Sequence, residues 1–542
     1  MPQTQWLKDP LVLGSFTVPV IAYFIKGIPG LFLGALVPMA VLFWRVVLPA
    51  VRRLSAEKEM SIELLYLLMH MYTVSTGKPE RRRLFELNTV VGGYGEYQRL
   101  LRRIAVIAVD WGYGFVRAIR ITARGVRNEF FRGFLIRLGE VLRTGEDVTR
   151  FLRVELATAM RQYLSSYSRS IDLLRIFLGL YATLMSASAF IILTFTLLAL
   201  FIGKDVRIFI VSLILIVITL ASFALVAKAI APRDPLIYRP KKPTNPLIRR
   251  LGRITLLSFV LVPIAGIAFY VLTHDPLITI SALAVPAIIP GIVAMRIESF
   301  IRKLNSFFQV FVRSFGLTFS VIPNYAAALE SILVADYGPL TEYIRRLHAR
   351  ITNGIDPHIA FRYFIEETGS MDVLNGSNII VDTIDAGGDL ADTGMVLSNT
   401  LIRLNDARRD RERLSRTFEV VVYLMQGLVS AIAAAIVNII LAFSRFYSQL
   451  SGLAAGQAMS YLPISPVLPP PSVLGWTIAI FLGSLILINS VIIAYVRGSI
   501  FEISMLHAAV LAIITAVSVK VMQIISHAMI LPMLIPPTPS SP

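Results

Sequence analysis

The chain has 542 residues, of which 56% are hydrophobic and 16% charged, and its mean hydropathy is +0.70; so few polar groups cannot cover a soluble globule of this length, which leaves a multi-pass membrane protein. The formal charge of +18 does not by itself point to nucleic acid, because membrane proteins concentrate Lys and Arg on cytoplasmic segments. Cysteine is absent, which excludes disulfides, thiolate metal sites, haem attachment and a cysteine nucleophile together.

A helix needs roughly 17 to 25 mostly apolar residues to cross a hydrocarbon core of about 30 Å. Nine stretches meet or approach that. Residues 10–25 and 31–48 come first, parted by Lys26 and a Gly27-Ile28-Pro29-Gly30 turn, and predict a membrane hairpin over 1–50. The first is short and holds Pro19, so it either spans or re-enters. The opening MPQTQWLKDP lacks a charged region followed by a small-residue cleavage site and is expected to belong to a retained first span.

Residues 51–175 form a polar lobe patterned for helices. Ile62, Leu65, Leu68, Met69 and Tyr72 recur at three and four, as one face of an amphipathic helix does, and Thr76-Gly77-Lys78-Pro79 stops it. Tyr97, Leu100, Leu101, Ile104, Ile107 and Ala108 predict a second helix, residues 115–121 a third and 130–142 a fourth. The fourth ends at Thr144-Gly145, where Gly145 supplies the left-handed residue a helix stop prefers, and Asp147 is placed to cap the next helix. Spans at 176–202 and 208–230, joined by Gly203-Lys204-Asp205, make a second hairpin over 176–231.

Residues 232–253 are a proline-rich basic linker, with Arg233, Arg239, Lys241, Lys242, Arg249, Arg250 and Arg253 against the single acid Asp234. The order then repeats. Spans at 254–272 and 277–295, hinged at His274-Asp275-Pro276, make a hairpin over 254–295, and a second helical lobe occupies 296–417. In it Ala386-Gly387-Gly388-Asp389 repeats the glycine turn and the capping acid. Residues 418–542 hold spans at 418–443, 473–495 and about 506–525, with an uncharged connection ending in Pro469-Pro470-Pro471 and a proline-rich tail. A shift of 242 residues lays Arg103 on Arg345, Gly112 on Gly354, Ala118 on Ala360, Arg120 on Arg362, Gly145 on Gly387, Asp147 on Asp389 and Arg169 on Arg411. The expected fold is an all-α polytopic membrane protein with about nine transmembrane helices and two cytoplasmic helical-bundle lobes, internally duplicated.

Orientation follows from where Lys and Arg sit near the spans. Residues 51–175 hold 22 of them and the linker seven, whereas the turns at Lys26, Gly203 and His274 and residues 448–472 hold almost none. The lobes, the linker and the amino terminus are therefore expected in the cytoplasm and the carboxyl terminus outside; a re-entrant first span moves only the amino terminus.

Catalytic chemistry finds little support. A nucleotide site needs backbone amides cradling phosphates and a lysine closing the loop, and no Gly-x-x-x-x-Gly-Lys-Ser/Thr run exists. Gly77-Lys78-Pro79 and Gly203-Lys204-Asp205 hold the dipeptide alone. The six His residues are scattered, without His-Glu-x-x-His. No catalytic residue, cofactor or metal is expected.

A small helical lobe with a glycine turn followed by an acid (Gly145-Glu146-Asp147 and Gly387-Gly388-Asp389), a span directly after each lobe, and a doubled unit cover residues 51–443. This layout resembles the type II secretion F domain family, the polytopic inner-membrane platform proteins of type IV pilus, type II secretion, Tad and archaellum machines. With nine spans it is most similar to the archaeal members. The resemblance implies a non-enzymatic base in the cytoplasmic membrane that contacts a hexameric secretion ATPase and handles pilin or archaellin subunits in the bilayer. It is compatible with a homodimer and implies no nucleic-acid partner.

Two groups of residues are candidates for such roles. Arg81, Arg82, Arg83, Arg99, Arg102 and Arg103 offer either a docking face for an acidic surface of the ATPase or a solvated face near anionic lipid. The first lobe carries 22 basic against 13 acidic residues, a net +9, and residues 296–417 carry 14 against 15, a net −1, so the first lobe is expected to make the main electrostatic contact. Reversing Arg408, Arg409 and Arg411 should matter less. Within the spans Gln426, Asn438, Asn489 and His507 either bond across helices or line a groove for a subunit's apolar helix. Gly427, Ala431, Ala433, Ala434 and Ala435 give the seventh span a small face for a neighbouring helix, a second protomer or a subunit. Lys228 and Lys520 are placed to snorkel. The rival reading is a secondary transporter with internal repeats, which would gather its polar groups at broken helices near the midplane instead of in lobes.

Overall fold

The computed structural model describes residues 60–202, 206–240, 245–452 and 471–534. The stretches at 10–25 and 31–48, the turn at 203–205, Lys241, Lys242, the connection at 453–470 and the tail beyond 534 lie outside the described residues. Those described are helical, apart from loops and one isolated bridge between Ile237 and Ser370. Among the described residues seven helices are long and apolar enough to cross a bilayer, and each expected span from residue 176 onward falls on one of them.

Helix α1 (Ile62–Ser75) starts at Ser61, whose Oγ accepts from the Leu64 amide at 3.3 Å. Its spacing predicts one apolar face. In the structure every residue of it except Glu63 is buried, because Leu64, Tyr66, Leu67, Met71 and Val74 fill the remaining sides. A helix apolar all round belongs in a core, and α1 is the core of the lobes. Four helices follow it: α2 (Arg81–Phe85), α3 (Gly95–Ala105), α4 (Phe115–Ala123) and α5 (Glu129–Thr144). A π turn at Val106–Asp110 extends α3, and Asn128 caps α5 by accepting from the Phe131 amide at 2.8 Å.

Helix α6 (Val148–Ile202) has 55 residues and holds the last part of the first lobe and the 176–202 span without a break. Helix α7 (Val206–Ile230) returns, the linker crosses the lobes, and α8 (Pro246–Thr273) follows. His274 stops α8 with φ +53°, and Asp275 Oδ1 accepts from the Leu277 amide at 2.9 Å to start the short α9 (Pro276–Thr279). A 3-10 turn at Ile280–Leu283 leads to α10 (Ala284–Val321), again running from span into lobe. The second lobe continues with α11 (Tyr325–Ile332), α12 (Thr341–Thr352), α13 (Pro357–Thr368) and α14 (Met371–Asp385). Helix α15 (Leu390–Gly452) is 63 residues long and carries the lobe into the 418–443 span; α16 (Pro471–Arg497) and α17 (Ile503–Leu534) follow.

The two lobes share one hydrophobic core, running from Met60 to Ile171 and from Leu304 to Leu404. Helix α1 lies between them, against α6 on one side and α14 and α15 on the other. Phe308, Phe311, Phe315, Phe361 and Phe364 are fully buried, each such side chain contributing about 1.5–3 kcal/mol. A second core joins α6, α7, α15, α16 and α17 at the level of the spans. Arg411 fixes how the two meet. Its guanidinium donates to the carbonyls of Val496 at 2.7 Å, Tyr495 at 2.7 Å and Pro232 at 2.8 Å, so the linker and the α16–α17 turn lie on the lobe side of the bundle.

Candidate functional site

The ends of four helices meet where the lobes touch. Gly77, just after α1, lies against the Ala386-Gly387-Gly388 turn that closes α14. A Cβ on Gly77 would stand 2.1 Å from the Ala386 oxygen, and one on Gly388 would stand 2.9 Å from the Thr73 oxygen, so only glycine fits on both sides. Thr76 Oγ1 accepts from the Asp389 amide at 2.8 Å across this contact. Gly145 (φ +79°) and Gly387 (φ +65°) occupy the left-handed region that ends a helix. Asp147 Oδ1 then accepts from the Thr149 amide at 2.8 Å to begin α6, and Asp389 Oδ1 accepts from the Asp392 amide at 3.1 Å to begin α15. Thr149 Oγ1 donates to the Ser75 carbonyl at 3.0 Å, while Tyr72 and Arg153 both donate to Asp392. The two longest helices therefore start from one point, the end of α1.

Two buried polar clusters brace this junction. In the first, Asp382 of α14 sits 2.8 Å from His70 Nε2 of α1, accepts from the Asn88 amide at 3.0 Å and is paired with Arg83. His70 Nδ1 lies 3.0 Å from the Tyr94 hydroxyl. Burial pushes the Asp382 carboxyl up, but the hydrogen bonds and charges of His70 and Arg83 outweigh it and hold it below the usual carboxylate range. A depressed carboxylate stabilises the folded state above its unfolded pKa, about 3.9, and that contribution is lost as pH falls through the folded value. Asp382→Asn is expected to cost about 1.5–3 kcal/mol at neutral pH and to flatten the acid limb of a stability profile below about pH 4, as followed by thermal melting in detergent.

In the second cluster Arg408 of α15 bridges two acids. It donates to Asp234 from Nε at 2.6 Å and from Nη2 at 2.7 Å, and to Asp372 from Nη1 at 2.6 Å and Nη2 at 3.0 Å. Asn305 donates to Asp372 at 2.8 Å, Ser370 donates to Asn305 at 2.6 Å, and the Tyr66 hydroxyl reaches Asp372 at 3.4 Å. Burial first, and Asp372 next, raise Tyr66 well above the ordinary phenol range, so it stays a donor. All of these groups are buried. Arg408 and Arg411, whose reversal is expected from the sequence to matter less for a motor contact than that of Arg81, Arg82 and Arg83, are both buried. Asp234, the lone acid of the basic linker, was the one signal that this segment has a buried partner.

The basic candidates divide. Arg81 and Arg82 are exposed on α2, Arg82 pairing with Glu86 at 3.1 Å and Asp110 at 3.4 Å. Arg83 is half-buried and turned inward to Asp382, so it is a brace between the lobes. Arg99, Arg102 and Arg103 are exposed on α3, opposite the buried Leu101, Ile104 and Ala105, and among the described residues no ion pair holds them. Their stripe runs on to Asp110, which Arg82 reaches, and to Trp111, 67% exposed, and Tyr113, 49% exposed. Sequence reading missed these aromatics; Gly112 and Gly114, both with positive φ, are the local signal for the turn that presents them. Among the described residues no three His, Asp or Glu are grouped to hold a metal.

Residues 311–440 match the protein family described as Type II secretion system (T2SS), protein F. The chain carries a T2SS protein F domain. It is also similar, nearly end to end, to two archaeal proteins each named Flagella accessory protein J: that of Methanocaldococcus jannaschii, 25% identical over 95% of this chain and 93% of the relative, and that of Methanococcus voltae, 24% identical over 98% and 97%. No solved structure matches. The long apolar helices among the described residues are those of a polytopic membrane protein.

The matched F domain contains the Gly387-Gly388-Asp389 turn, Arg408, Gln426 and Asn438; Gly145, Asp147 and the basic face lie outside it. Inside the spans of the F domain and its neighbours, a chain of hydrogen bonds links four helices. Tyr181 of α6 donates to Asn489 of α16, Asn489 donates to Gln426 of α15 at 2.9 Å, and Gln426 donates to Thr515 of α17 at 3.0 Å. Gln426 and Asn489 thus bond across helices. Asn438 Nδ2 has no partner among the described residues, and His507 Nδ1 lies 2.7 Å from the Tyr423 hydroxyl. Gly427 packs on Ser518 and Ile514, so α17 covers that part of the small face of the F-domain span. Lys228 sits over the Tyr495 ring at 5.5 Å. Gln426→Leu is expected to cost about 0.6–2 kcal/mol, read as a lowered melting temperature of the purified chain, with Asn438→Leu close to neutral or stabilising.

Proposed function

We propose that this chain is the membrane platform of an archaellum-like assembly machine, coupling a cytosolic hexameric secretion ATPase to the insertion or extraction of pilin-like subunits. The proteins it resembles from end to end are named for the flagellum, and the F domain gives the membrane setting. The observation that carries the mechanism is the continuity of α6 and α15. Both start at the lobe junction and run into the bilayer, with contour lengths of about 80 and 95 Å, so displacement of the lobes moves the spans directly. In this reading the unit is duplicated, nine spans place the lobes in the cytoplasm and the carboxyl terminus outside, and the platform works as a homodimer or alone. The exposed stripe of Arg81, Arg82, Arg99, Arg102 and Arg103 meets an acidic face of the motor, steering and orienting it.

The test is a pull-down of the ATPase at low salt. Reversing Arg81, Arg82, Arg99, Arg102 and Arg103 to Glu is expected to weaken capture at least tenfold, whereas reversing the exposed Arg362 and Arg409 of the second lobe leaves it near wild type. Equal effects of the two sets sink the proposal. Because the chain has no native cysteine, one introduced at Arg102 is also expected to resist an impermeant maleimide in intact cells; labelling there reverses the orientation.

A further inference from the structure

Between α6 and α15, on the lobe side of the stretches that cross the bilayer, lies an open cavity of about 670 Å³. Ile171 and Leu414 line it, and Arg175, Arg403 and Arg413 stand at its rim with Asp172 and Asp410. Arg175 lies 3.3 Å from Asp172 and Arg413 lies 3.2 Å from Asp410, each pair one turn apart on its own helix with both partners more than half exposed. Such pairs hold each other weakly and release readily. Arg403 has no ion pair among the described residues. The rim therefore offers three guanidiniums, each with donors to spare and shaped to grip a phosphate.

The surroundings say what the phosphate is attached to. Directly toward the membrane, Val420, Leu424 and Leu428 are exposed along α15, at three- and four-residue steps from Thr417 of the cavity lining. This is an apolar track at helical spacing, leaving the cavity on its bilayer side. A ligand that satisfies both ends has an anionic head and an apolar tail. The cavity has room for a phosphoglycerol headgroup.

We propose that this cavity binds one anionic phospholipid of the leaflet on the lobe side, its phosphate held by Arg175, Arg403 and Arg413 and its chains laid along the α15 track. Basic pockets between membrane helices at this depth recognise such headgroups. The proposal needs only that α6 and α15 cross the bilayer, and it stands whatever drives the lobes. A lipid seated there would wedge the two helices that leave the junction.

Native mass spectrometry of the full chain in detergent tests it, with phosphatidylglycerol and phosphatidylcholine of matched chains as probes. The wild type is expected to retain one phosphatidylglycerol in preference to phosphatidylcholine. The Arg175→Gln, Arg403→Gln, Arg413→Gln variant is expected to bind it about a hundredfold more weakly, the factor that removal of three interfacial charges implies. Asp172→Asn with Asp410→Asn, which adds no bulk and frees two of the arginines, is expected to tighten binding and keeps the test open if the triple variant does not fold. Unchanged retention by the triple variant, or equal retention of phosphatidylcholine, overturns the proposal. Displacement by millimolar inorganic phosphate assigns the cavity to a free anion, and displacement by a stoichiometric apolar helical peptide assigns it to a protein partner; either result also overturns it.

Discussion

Arg408→Met is expected to leave almost no folded protein extractable in detergent, whereas Arg409→Glu, one position along the same helix, is expected to melt like the wild type. Arg408 is 9% exposed and bridges Asp234 and Asp372, each 2% exposed or less. Removing it strands two carboxylates in a site that cannot hydrate them, and breaking a buried pair in this way costs about 3–5 kcal/mol. That is a large share of the roughly 5–15 kcal/mol that holds a domain folded. Arg409 pairs only with Asp406 at 3.9 Å, with both side chains about two-thirds exposed, and such a contact is worth about 0–1 kcal/mol. Fluorescence-detected size exclusion after a temperature ramp separates the two outcomes. A triple change, Arg408→Met with Asp234→Asn and Asp372→Asn, removes the stranded charges and is expected to recover much of the loss. If Arg408→Met alone melts normally, the linker is not fastened to the lobes through this residue.

The same residue marks how far the sequence could be read. Spans and helix stops depend on neighbours within a few positions, so the seven stretches from 176 onward and the turns at Gly145 and Gly387 were legible. The buried pairs were not, because His70 and Asp382, and Asp234 and Arg408, are far apart in the chain and only the fold brings them together. Net charge over a segment treats every arginine as surface. Arg83, Arg408 and Arg411 are all spent inside, two of them in the second lobe, so the net charge of a segment is not the charge a partner would meet. Helix α1 shows the matching error for apolar residues. Five positions at three-and-four spacing fit one face, and its other sides fill with Leu64, Tyr66, Leu67, Met71 and Val74 only because a second lobe closes over them.

Gly77→Ala is expected to destabilise the chain more than Gly145→Ala, although both changes add one methyl group. Gly145 has φ +79° and open space around it, so alanine there pays only the left-handed strain of about 1–2 kcal/mol. Gly77 is not in the left-handed region, and its methyl would stand 2.1 Å from the Ala386 oxygen, 2.9 Å from the Gly387 carbonyl carbon and 2.9 Å from the Gly388 nitrogen. All three are backbone atoms, so no side chain can swing away and the two turns must part. Overpacking of this kind costs about 1–3 kcal/mol or more. Parting the turns also breaks the 2.8 Å bond from the Asp389 amide to Thr76 and loosens the shared start of α6 and α15. Amide hydrogen exchange is the decisive readout: Gly77→Ala should raise exchange at Asp389, while Gly145→Ala leaves that amide protected. Should Asp389 stay protected in Gly77→Ala, the glycine contact is not what ties the two lobes at the root of the long helices, and the tie would have to run through the Arg408 cluster instead.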